Sequence, residues 1–404
     1  MQSISSQSAT TDPQKNEAHA AATRAPLRVL HLATHTGVAG GGAVQMARMA
    51  GGMLARGHHV ACAFNWHDFR HGEGERNYVD VEQYGVPYYT FRMEALFSKL
   101  LGDRRRFLKF VRDNDFQIVH VHKPRAMRFA LSTFAPDAES PAIVVQRGNC
   151  YPIDDYTRTL LNDRRVKAIV CVAEAVRQVV VEGGVEPSKV HVIYSGVPEQ
   201  DFDPNIDPLP VRRELGIPDG VPVVGIVANF DGKKAHPLFF EAAAQIAQRV
   251  PNVRFLVVGR GAAEDLPAQL EALGIADKVV LAGFRRDVPR MLAAMDVSVN
   301  VSNRGEGLTG AMRESLCMKK PVVCTDIGGN YELVRHGETG YLVPPDDLPA
   351  FIEAVVDMLL NPEKARHMAD NGYQLVMEQF TEDVRIRRLE KLYYDIVAAM
   401  PTRQ

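Results

Sequence analysis

The segment LRVLHLATHTGVAGGGAVQMARMAGGMLARGHHVACAFN (27–65) contains the pattern that decides the fold. A short apolar run (27–34) leads into a glycine-rich turn, then into a helical pattern, then into a second apolar run (59–65). Short β-branched runs that alternate with helices are typical of βαβ units, in which the two strands are parallel. We therefore predict that the folded part of the chain begins with such a unit.

The same alternation continues in two series. Further strands are predicted at 87–92, 116–122, 142–147, 168–173 and 189–196, and then at 221–230, 253–259, 278–284, 297–302, 321–326 and 341–345. A segment rich in Pro and Asp separates the two series and is typical of a linker. The sequence thus predicts an α/β fold with two doubly wound, Rossmann-like domains that face each other across a cleft.

The domain boundaries follow from these series. We predict a disordered tail (1–26), an N-terminal domain (27–198), a linker (199–220) and a C-terminal domain (221–380). The last segment (381–404) is expected to form a helix that crosses back to the first domain.

Composition excludes several classes of protein. A chain of 404 residues is too long for one ordinary core, and its net charge of −2 argues against a dedicated nucleic-acid binder. The five cysteines are widely spaced without a Cys-x-x-Cys pair, as expected in a reducing compartment with neither disulfides nor a zinc knuckle. We find neither a signal-peptide pattern nor an apolar run of ~18 residues, so a cytoplasmic protein is expected.

One strongly basic segment, EALFSKLLGDRRRFLKFVRDND (94–115), interleaves apolar and basic residues. A basic amphipathic segment can lie on an anionic membrane surface, which would make the protein peripheral on the inner face of the cytoplasmic membrane. The alternative is a pair of helices that pack their apolar side on the sheet and leave a solvated basic face. The sequence leaves both interpretations open.

The glycine turn after the first strand contains Gly37, Gly40, Gly41 and Gly42. Such a turn lets backbone N–H groups approach a ligand closely, and the following helix N-terminus favours anions. The spacing differs from G-x-G-x-x-G and no acidic residue ends the second strand, so a nicotinamide dinucleotide is disfavoured. A merely flexible turn is the weaker alternative, because four glycines in six positions are entropically costly.

A second candidate site follows the first strand of the second domain, in VANFDGKKAHPLFFEA (227–242). The loop carries Lys233 and Lys234 just before a helix begins. In parallel α/β sheets, ligands bind at the carboxyl ends of the strands. Two cations beside a helix N-terminus suit a diphosphate, although exposed loop lysines are common without a ligand.

The third candidate site is EGLTGAMRE (306–314), which places two glutamates eight positions apart. On one continuous helix they would lie roughly 80° apart and could not touch. We predict instead that Glu306 lies on a loop and that Glu314 lies on a helix, which begins near Thr309 as a possible N-cap. A phosphate could then rest on the amides between the two carboxylates.

These residues, taken together, resemble the retaining family 4 glycosyltransferases of the GT-B fold, whose E-x7-E pattern corresponds to Glu306 and Glu314. The resemblance is carried by 306–347, by the donor-site strands 257–302, by VIYSGVPEQDFDP (192–204) and by the first helix after the glycine turn. It covers about residues 27–395, nearly the whole chain. The motifs in this order are specific, although any one of them alone is weak.

The resemblance implies that the N-terminal domain (27–198) binds the acceptor and that the C-terminal domain (221–380) binds the nucleotide sugar. It also implies a role for each matching residue. Glu306 would contact the donor sugar, Glu314 would hold the ribose hydroxyls, and Lys234 would bind the diphosphate and stabilise the leaving group. His122 would lie near the anomeric carbon, with His120 as its neighbour. The amides of Gly307, Leu308 and Thr309 would contact the sugar and phosphate, and Gly41 and Gly42 would lie against the diphosphate. The base would rest on the backbone of residues 286–288, which ends at Val288.

The chain departs from the family pattern at two places. Asn229 stands where the family commonly has an arginine, and Lys233 or Arg260 is our hypothesis for the missing positive charge. Arg147 stands near a position that is often histidine. It could face an anionic acceptor, or it could be an ordinary solvated arginine, and we weigh the two equally.

The implied reaction breaks a bond from C1 of a sugar to a nucleoside diphosphate, through an oxocarbenium-like state. Lys234 and the helix amides would stabilise the leaving group. The donor is a substrate, and neither a cofactor nor a divalent metal is expected, since the Asp-x-Asp at 201–203 lies in the linker. The acceptor would be a saccharide or a lipid-linked sugar of a cell-surface polysaccharide or lipopolysaccharide. A GT-B enzyme that makes a free disaccharide and a nucleotide-sugar-binding protein without catalysis remain the alternatives.

Overall fold

The computed structural model describes residues 24–34, 41–65, 82–93, 102–137 and 139–401. Most of the predicted disordered tail (1–26), Gly37 and Gly40 of the glycine turn, and the first part of the basic segment (94–101) lie outside these residues.

The first domain contains a parallel sheet of seven strands among the described residues. Its strands are β1 (Arg28–Ala33), β2 (His59–Asn65), β3 (Tyr88–Phe91), β4 (Ile118–His122), β5 (Ala142–Arg147), β6 (Val166–Cys171) and β7 (Val190–Val192). Its helices are α1 (Gly41–Ala55), α2 (Asp103–Asp113), α3 (Pro124–Thr133), α4 (Asp155–Leu161) and α5 (Glu174–Glu182). The strand order is β3-β2-β1-β4-β5-β6-β7, so the chain winds outward in both directions from β1.

The second domain repeats this plan with six parallel strands in the described residues. After α6 (Leu209–Glu214), the strands are β8 (Val223–Val227), β9 (Arg254–Val258), β10 (Val279–Gly283), β11 (Val297–Asn300), β12 (Val322–Thr325) and β13 (Tyr341–Val343). The helices are α7 (His236–Arg249), α8 (Leu266–Ala272), α9 (Val288–Ala293), α10 (Gly310–Cys317), α11 (Asn330–Leu333), α12 (Leu348–Leu360) and α13 (Pro362–Gln379). The strand order is β10-β9-β8-β11-β12-β13.

The predicted fold class is confirmed: every predicted strand forms, and both sheets are doubly wound. The prediction works because parallel strands covered on both faces are continuous β-branched runs, as in β4, which is buried along its whole length. The largest difference is at 189–196, where only Val190–Val192 pair in the sheet. The residues that follow instead leave the sheet edge toward the second domain.

Each sheet has one point where the winding direction reverses, between β1 and β4 and between β8 and β11. Loops leave neighbouring strands in opposite directions there, and a crevice opens outside their carboxyl ends. The predicted site residues lie at both reversals. His122 ends β4, and Lys234 and Glu306 follow β8 and β11 respectively.

The last helix, α14 (Glu382–Ala398), returns from the second domain to the first. Thr381 pairs with Val197 in an isolated parallel bridge, and its hydroxyl caps the helix by accepting a hydrogen bond from the Val384 N–H at 3.2 Å. Leu389 and Tyr393 are fully buried in the cluster that joins the first sheet to α1. The core of the first domain therefore includes α14, which follows the second domain in sequence.

The described half of the basic segment forms α2, whose apolar side packs on the first sheet. Phe107 is fully buried against Phe91 and Phe129 at ring-centroid distances of 5.0 and 5.1 Å. Arg105 and Arg112 are exposed on the opposite side. This half therefore has the arrangement of a packed helix with a solvated basic face, and none of the described helices is both long and apolar enough to span a bilayer.

Candidate active site

The two glutamates of EGLTGAMRE lie on different elements. Glu306 is in the loop between β11 and α10, and Glu314 is in the second turn of α10. Thr309 immediately precedes the helix, but its side chain makes no capping hydrogen bond and its buried Oγ1 has no partner in the described residues. Its N–H instead donates to Oδ1 of Asn330 at 3.2 Å. The expected side-chain cap is therefore absent.

Lys234 and Glu306 form a close ion pair, although 72 positions separate them in sequence. Nζ of Lys234 lies 2.5 Å from Oε1 of Glu306, and the two side chains are 19% and 13% exposed. The pair forms because the parallel neighbours β8 and β11 end at the same edge of the sheet. Two of the three residues predicted as catalytic thus contact each other, with the N-terminus of α10 following Glu306.

The turns beside the predicted catalytic residues have unusual backbone conformations. Ala235, directly after Lys234, has φ 48°, and Lys123, directly after His122, has φ 127°. Residues with a Cβ rarely adopt such angles, and strained backbone is concentrated at functional sites. The strain therefore supports a functional role for the turns that follow β8 and β4.

Glu314 is paired across the cleft with an arginine that the sequence analysis missed. Nη1 of Arg48, on α1, lies 3.4 Å from Oε1 of Glu314, and both side chains are largely buried. Gln45, one turn earlier on α1, donates through Nε2 to the carbonyl oxygen of Gly196 at 3.3 Å. A polar pair spaced i, i+3 on an otherwise apolar helix is a signal that could have identified this face.

The loop around Gly307 packs directly on the first domain. A Cβ on Gly307 would lie 2.5 Å from the carbonyl oxygen of Gly148, which is closer than any real contact. A Cβ on Gly305 would likewise clash with the hydroxyl of Tyr151. Glycine is therefore required here by close approach, and Leu308 packs against core residues of both domains.

Glu332 makes a second cross-domain contact that the sequence analysis missed. Its two carboxylate oxygens accept hydrogen bonds from the N–H groups of Glu174 and Ala175 at 2.7 and 2.9 Å. These N–H groups begin α5, whose own N-cap residue, Ala173, offers no capping side chain. A carboxylate at a helix N-terminus is favourable, so this contact helps to hold the two domains together.

Three histidines form a buried cluster behind the cleft. His31 and His120 are register partners on β1 and β4, and His122 lies two residues further along β4. Nδ1 of His31 and Nε2 of His122 are 3.0 Å apart, and Nδ1 of His120 lies 2.5 Å from the hydroxyl oxygen of Tyr393 on α14. His122, the residue predicted to lie near the anomeric carbon, is thus oriented by His31.

Burial keeps His31 and His120 neutral. Desolvation, helped by the charge of Arg385, lowers the pKa of His31 to about 3, and desolvation also lowers the pKa of His120 well below its usual value. Neutral imidazoles are metal ligands, and one nitrogen of each ring lies within 4.8 Å of the others. However, hydrogen bonds already occupy Nδ1 of His31, Nε2 of His122 and Nδ1 of His120, and the nearby guanidinium of Arg385 opposes a cation, so these residues fit a metal poorly.

The other predicted donor contacts lie on the β8 side of the cleft. Asn229 accepts a hydrogen bond through Oδ1 from the N–H of Arg260 at 3.2 Å. The guanidinium of Arg260 lies over the exposed ring of Phe284, 4.7 Å from its centroid. Lys233 is paired with Asp231 at 3.5 Å. Both hypothetical substitutes for the family arginine therefore already have contacts of their own.

The remaining predicted residues lie around the cleft. Val288 begins α9, and Gly41 begins α1 with the exposed Gly42 as its second residue. Arg147 ends β5 and donates through Nη2 to the carbonyl oxygen of Tyr151. Its Nε is buried without a partner among the described residues, and burial lowers the pKa of its guanidinium. Arg147 is thus half-buried and is not a fully solvated arginine.

Two family profiles match the chain, one for each domain. Residues 39–201 match the profile described as "Glycosyltransferase Family 4", and residues 221–361 match "Glycosyl transferases group 1". Together they cover all six strands of the second sheet and β2 to β7 of the first, while β1 precedes the first matched residue.

Several characterised sequences are similar over one part of the chain. An alpha-D-kanosaminyltransferase of Streptomyces kanamyceticus is 29% identical over 49% of this chain and 51% of its own length. A UDP-Gal:alpha-D-GlcNAc-diphosphoundecaprenol alpha-1,3-galactosyltransferase of Escherichia coli is 30% identical over 53% and 56%. A lipopolysaccharide core mannosyltransferase of Rhizobium meliloti, LpsB, is 25% identical over 51% and 61%. The chain spans about half the length of the curated relatives it matches.

Solved structures agree with the fold over almost the whole chain. HepE of Anabaena, solved in complex with UDP, has a TM-score of 0.79 at 20% identity and covers 91% of this chain and 100% of its own. A glycosyltransferase of Rickettsia africae has a TM-score of 0.79 at 19% identity, covering 92% and 99%. These similarities confirm the predicted GT-B fold. The two profiles and the related sequences show that the chain belongs to the family 4 glycosyltransferases.

Proposed function

We propose that the protein is a retaining glycosyltransferase that moves a sugar from a nucleotide-diphosphate sugar to a saccharide or lipid-linked acceptor. The observation that carries this proposal is the Lys234–Glu306 pair, 2.5 Å apart at the reversal point of the second sheet. A cation, a carboxylate and the start of a helix converge there. These are the groups that binding a sugar diphosphate and stabilising its departure require.

The reaction would develop negative charge on the departing diphosphate. Lys234 and the first amides of α10 would meet that charge, and they are already in place before the reaction, which lowers the cost of reorganisation. On binding, the phosphate would compete with Glu306 for Lys234. The released carboxylate of Glu306 could then accept hydrogen bonds from the sugar hydroxyls.

Glu314 would hold the ribose, and this role requires its ion pair with Arg48 to loosen or to adapt. His122 would lie on the opposite wall of the cleft, oriented by His31. Because burial lowers the pKa of His31 and of His120, these two imidazoles behind His122 stay neutral and add no charge beside an oxocarbenium-like centre. We propose no step that uses a metal.

The acceptor class rests on chemistry and on the relatives. The Escherichia coli relative is named for a lipid diphosphate acceptor, and the Rhizobium relative is named for a lipopolysaccharide core. The half-buried guanidinium of Arg147, close to the loop that carries Glu306, would suit an acceptor with a phosphate or carboxylate. We therefore propose a role in cell-surface polysaccharide or lipopolysaccharide synthesis.

Binding of the donor is tested by thermal shift with UDP-, GDP- and ADP-sugars. We expect one base to raise the Tm in a concentration-dependent way, because a ligand at about 100 times its Kd stabilises the folded state by about 2.7 kcal/mol. The nucleoside without phosphates should shift the Tm much less. Absence of a shift with all three bases would contradict the proposed donor class.

A contact with anionic membranes is also part of the proposal, but the structure limits its form. Phe107 is buried in the core of the first domain, so contact through α2 would rely on exposed basic side chains such as Arg105 and Arg112. Each basic side chain near an anionic surface contributes about 1 kcal/mol, and salt screens this attraction.

Co-sedimentation with liposomes tests this contact. We expect binding to vesicles rich in anionic lipid at low salt, release at high salt, and weaker binding by the double variant Arg105→Glu/Arg112→Glu. Vesicles of zwitterionic lipid are the control. If the anionic vesicles fail to sediment the wild-type protein at low salt, the membrane contact should be abandoned.

A further inference from the structure

Arg313, on α10, is a buried charged side chain whose guanidinium lacks hydrogen-bonding partners among the described residues. It is 1% exposed, and its Nε and Nη1 are buried without a partner in the described part of the chain. Desolvation lowers the pKa of its guanidinium to about 10, although Glu314 opposes this shift. Burying a charge without hydrogen bonds is unfavourable, so such a group calls for a binding partner.

Two other buried arginines show what a satisfied guanidinium looks like in this protein. Arg212 is 7% exposed and donates to the carbonyl oxygens of Ala294 and Val221 and to Oδ2 of Asp296, at 3.0, 3.2 and 2.9 Å. Arg385 is 3% exposed and donates to the Gln45 side-chain oxygen at 2.8 Å. Burial alone therefore does not explain the unpartnered state of Arg313.

The guanidinium of Arg313 lies next to the first residue of its own helix. A Cβ on Gly310 would lie 3.7 Å from Nη2 of Arg313, so the side chain folds back along α10 toward its N-terminus. The hydroxyl of Thr309, which precedes the helix, is also buried and unpartnered among the described residues. The start of α10 thus carries a guanidinium and a hydroxyl that both lack a partner among the described residues.

Charge in the surroundings also favours an anion. The charged groups that act on Arg313 are the cations Arg48 and Arg385 and the carboxylates of Glu314 and Glu382. Together with Arg313, this set contains three guanidinium cations but only two carboxylates. An anion that enters at the start of α10 would balance this set.

We propose that Arg313 binds the diphosphate of the donor and supplies the positive charge that Asn229 does not provide. This inference rests on the proposed function and names a further binding residue for it. Lys233 is half-buried and paired with Asp231, and the exposed Arg260 lies over Phe284, whereas Arg313 is buried and makes no such contact within the described ranges. A planar guanidinium can donate two parallel hydrogen bonds to phosphate oxygens, which a lysine cannot.

The substitution Arg313→Met tests this role, because it keeps most of the side-chain volume and removes the charge. We expect the Kd for a nucleoside diphosphate to rise about 10- to 100-fold, since a lost charged hydrogen bond contributes roughly 1.5–3 kcal/mol. The Tm of the ligand-free variant should stay the same or rise, because an apolar side chain then replaces an unpaired buried charge. Arg313→Lys should recover part of the affinity.

Isothermal titration calorimetry with UDP, GDP and ADP, and with their nucleosides, measures the Kd values, and Arg212→Met is the matched control. The control loses three hydrogen bonds away from the cleft, so its Tm should fall while its Kd for the nucleoside diphosphate stays unchanged. Nucleoside affinity should be the same in wild type and Arg313→Met.

The outcomes separate this inference from the proposed function. If wild type and Arg313→Met bind the nucleoside diphosphate equally well, Arg313 is not a phosphate ligand and the inference is wrong. A fall in the Tm of Arg313→Met with unchanged affinity would show a structural role instead. If the wild-type protein binds none of the three nucleotides, the proposed function fails and this inference fails with it.

Discussion

Lys234→Ala lowers kcat for donor turnover by about 10²–10³-fold, the cost of removing one preorganised group that stabilises developing negative charge. The effect should be larger on kcat than on KM, because the charge on the leaving diphosphate grows toward the transition state. Lys234 is held 2.5 Å from Glu306 at the carboxyl edge of the second sheet, so its ammonium group is placed before the donor arrives. Initial rates of hydrolysis of the nucleotide sugar identified by thermal shift give the measurement.

Lys278→Ala is the matched control for this experiment. It removes the same charge from the same domain, but Lys278 precedes β10, at the opposite edge of the sheet, where its Nζ donates to the carbonyl oxygen of Pro251 at 2.7 Å. Its turnover should equal that of wild type. Equal and negligible turnover by wild type and Lys234→Ala would contradict the interpretation as an enzyme and would favour a nucleotide-sugar-binding protein without catalysis.

The alternative of a free-disaccharide enzyme differs only in the acceptor. With a donor whose sugar carries a label, transfer to extracted lipid-linked sugars would move the label into the organic phase. Transfer to a free sugar would leave the label in the aqueous phase. The Lys234→Ala effect is expected in both cases, because both reactions break the same bond to the diphosphate.

Tyr393→Ala should destabilise the first domain by about 3–5 kcal/mol, the usual cost of truncating a fully buried aromatic side chain. Tyr393 is 0% exposed and lies in the cluster that joins α14 to α1 and the first sheet. For domains of this size the loss corresponds to a Tm lower by roughly 6–20 °C. Thermal unfolding followed by circular dichroism measures it.

Tyr393→Phe separates the ring from its hydroxyl. This variant keeps the packed ring and removes only the hydrogen bond to Nδ1 of His120, so a loss of about 1–3 kcal/mol is expected. An unchanged Tm in Tyr393→Ala would mean that α14 does not pack on the first domain in solution.

The fold was largely predictable from local patterns. Runs such as 59–65 and 142–147 coincide with β2 and β5, because a parallel strand buried on both faces must be apolar throughout its length. Glycines and polar loops between the runs marked where the chain turns. The order of the strands then follows from the few ways in which successive βαβ units can wind.

The candidate site was predictable only in part. Lys234 and Glu306 were selected because their loops follow strands that end at one sheet edge, and parallel pairing of β8 with β11 brings them into contact. The side-chain cap expected at Thr309 is absent: the hydroxyl is buried without a partner among the described residues, and the Thr309 N–H donates to Asn330. Nothing in the spacing of the motif indicates the orientation of this hydroxyl.

The sequence by itself determined the identity and order of the buried strands, because a strand that is buried on both faces must be a continuous apolar run. The strand order in turn determined which loops lie at each reversal point. Only the tertiary structure decided which side chains meet across the cleft. Arg48 reaches Glu314 over 266 positions, and Glu332 reaches the start of α5 over 158. That Arg313 lacks a partner in the described part of the chain could not be predicted either, for the same physical reason: hydrogen bonds between distant segments depend on how the two domains pack, which no local periodicity encodes.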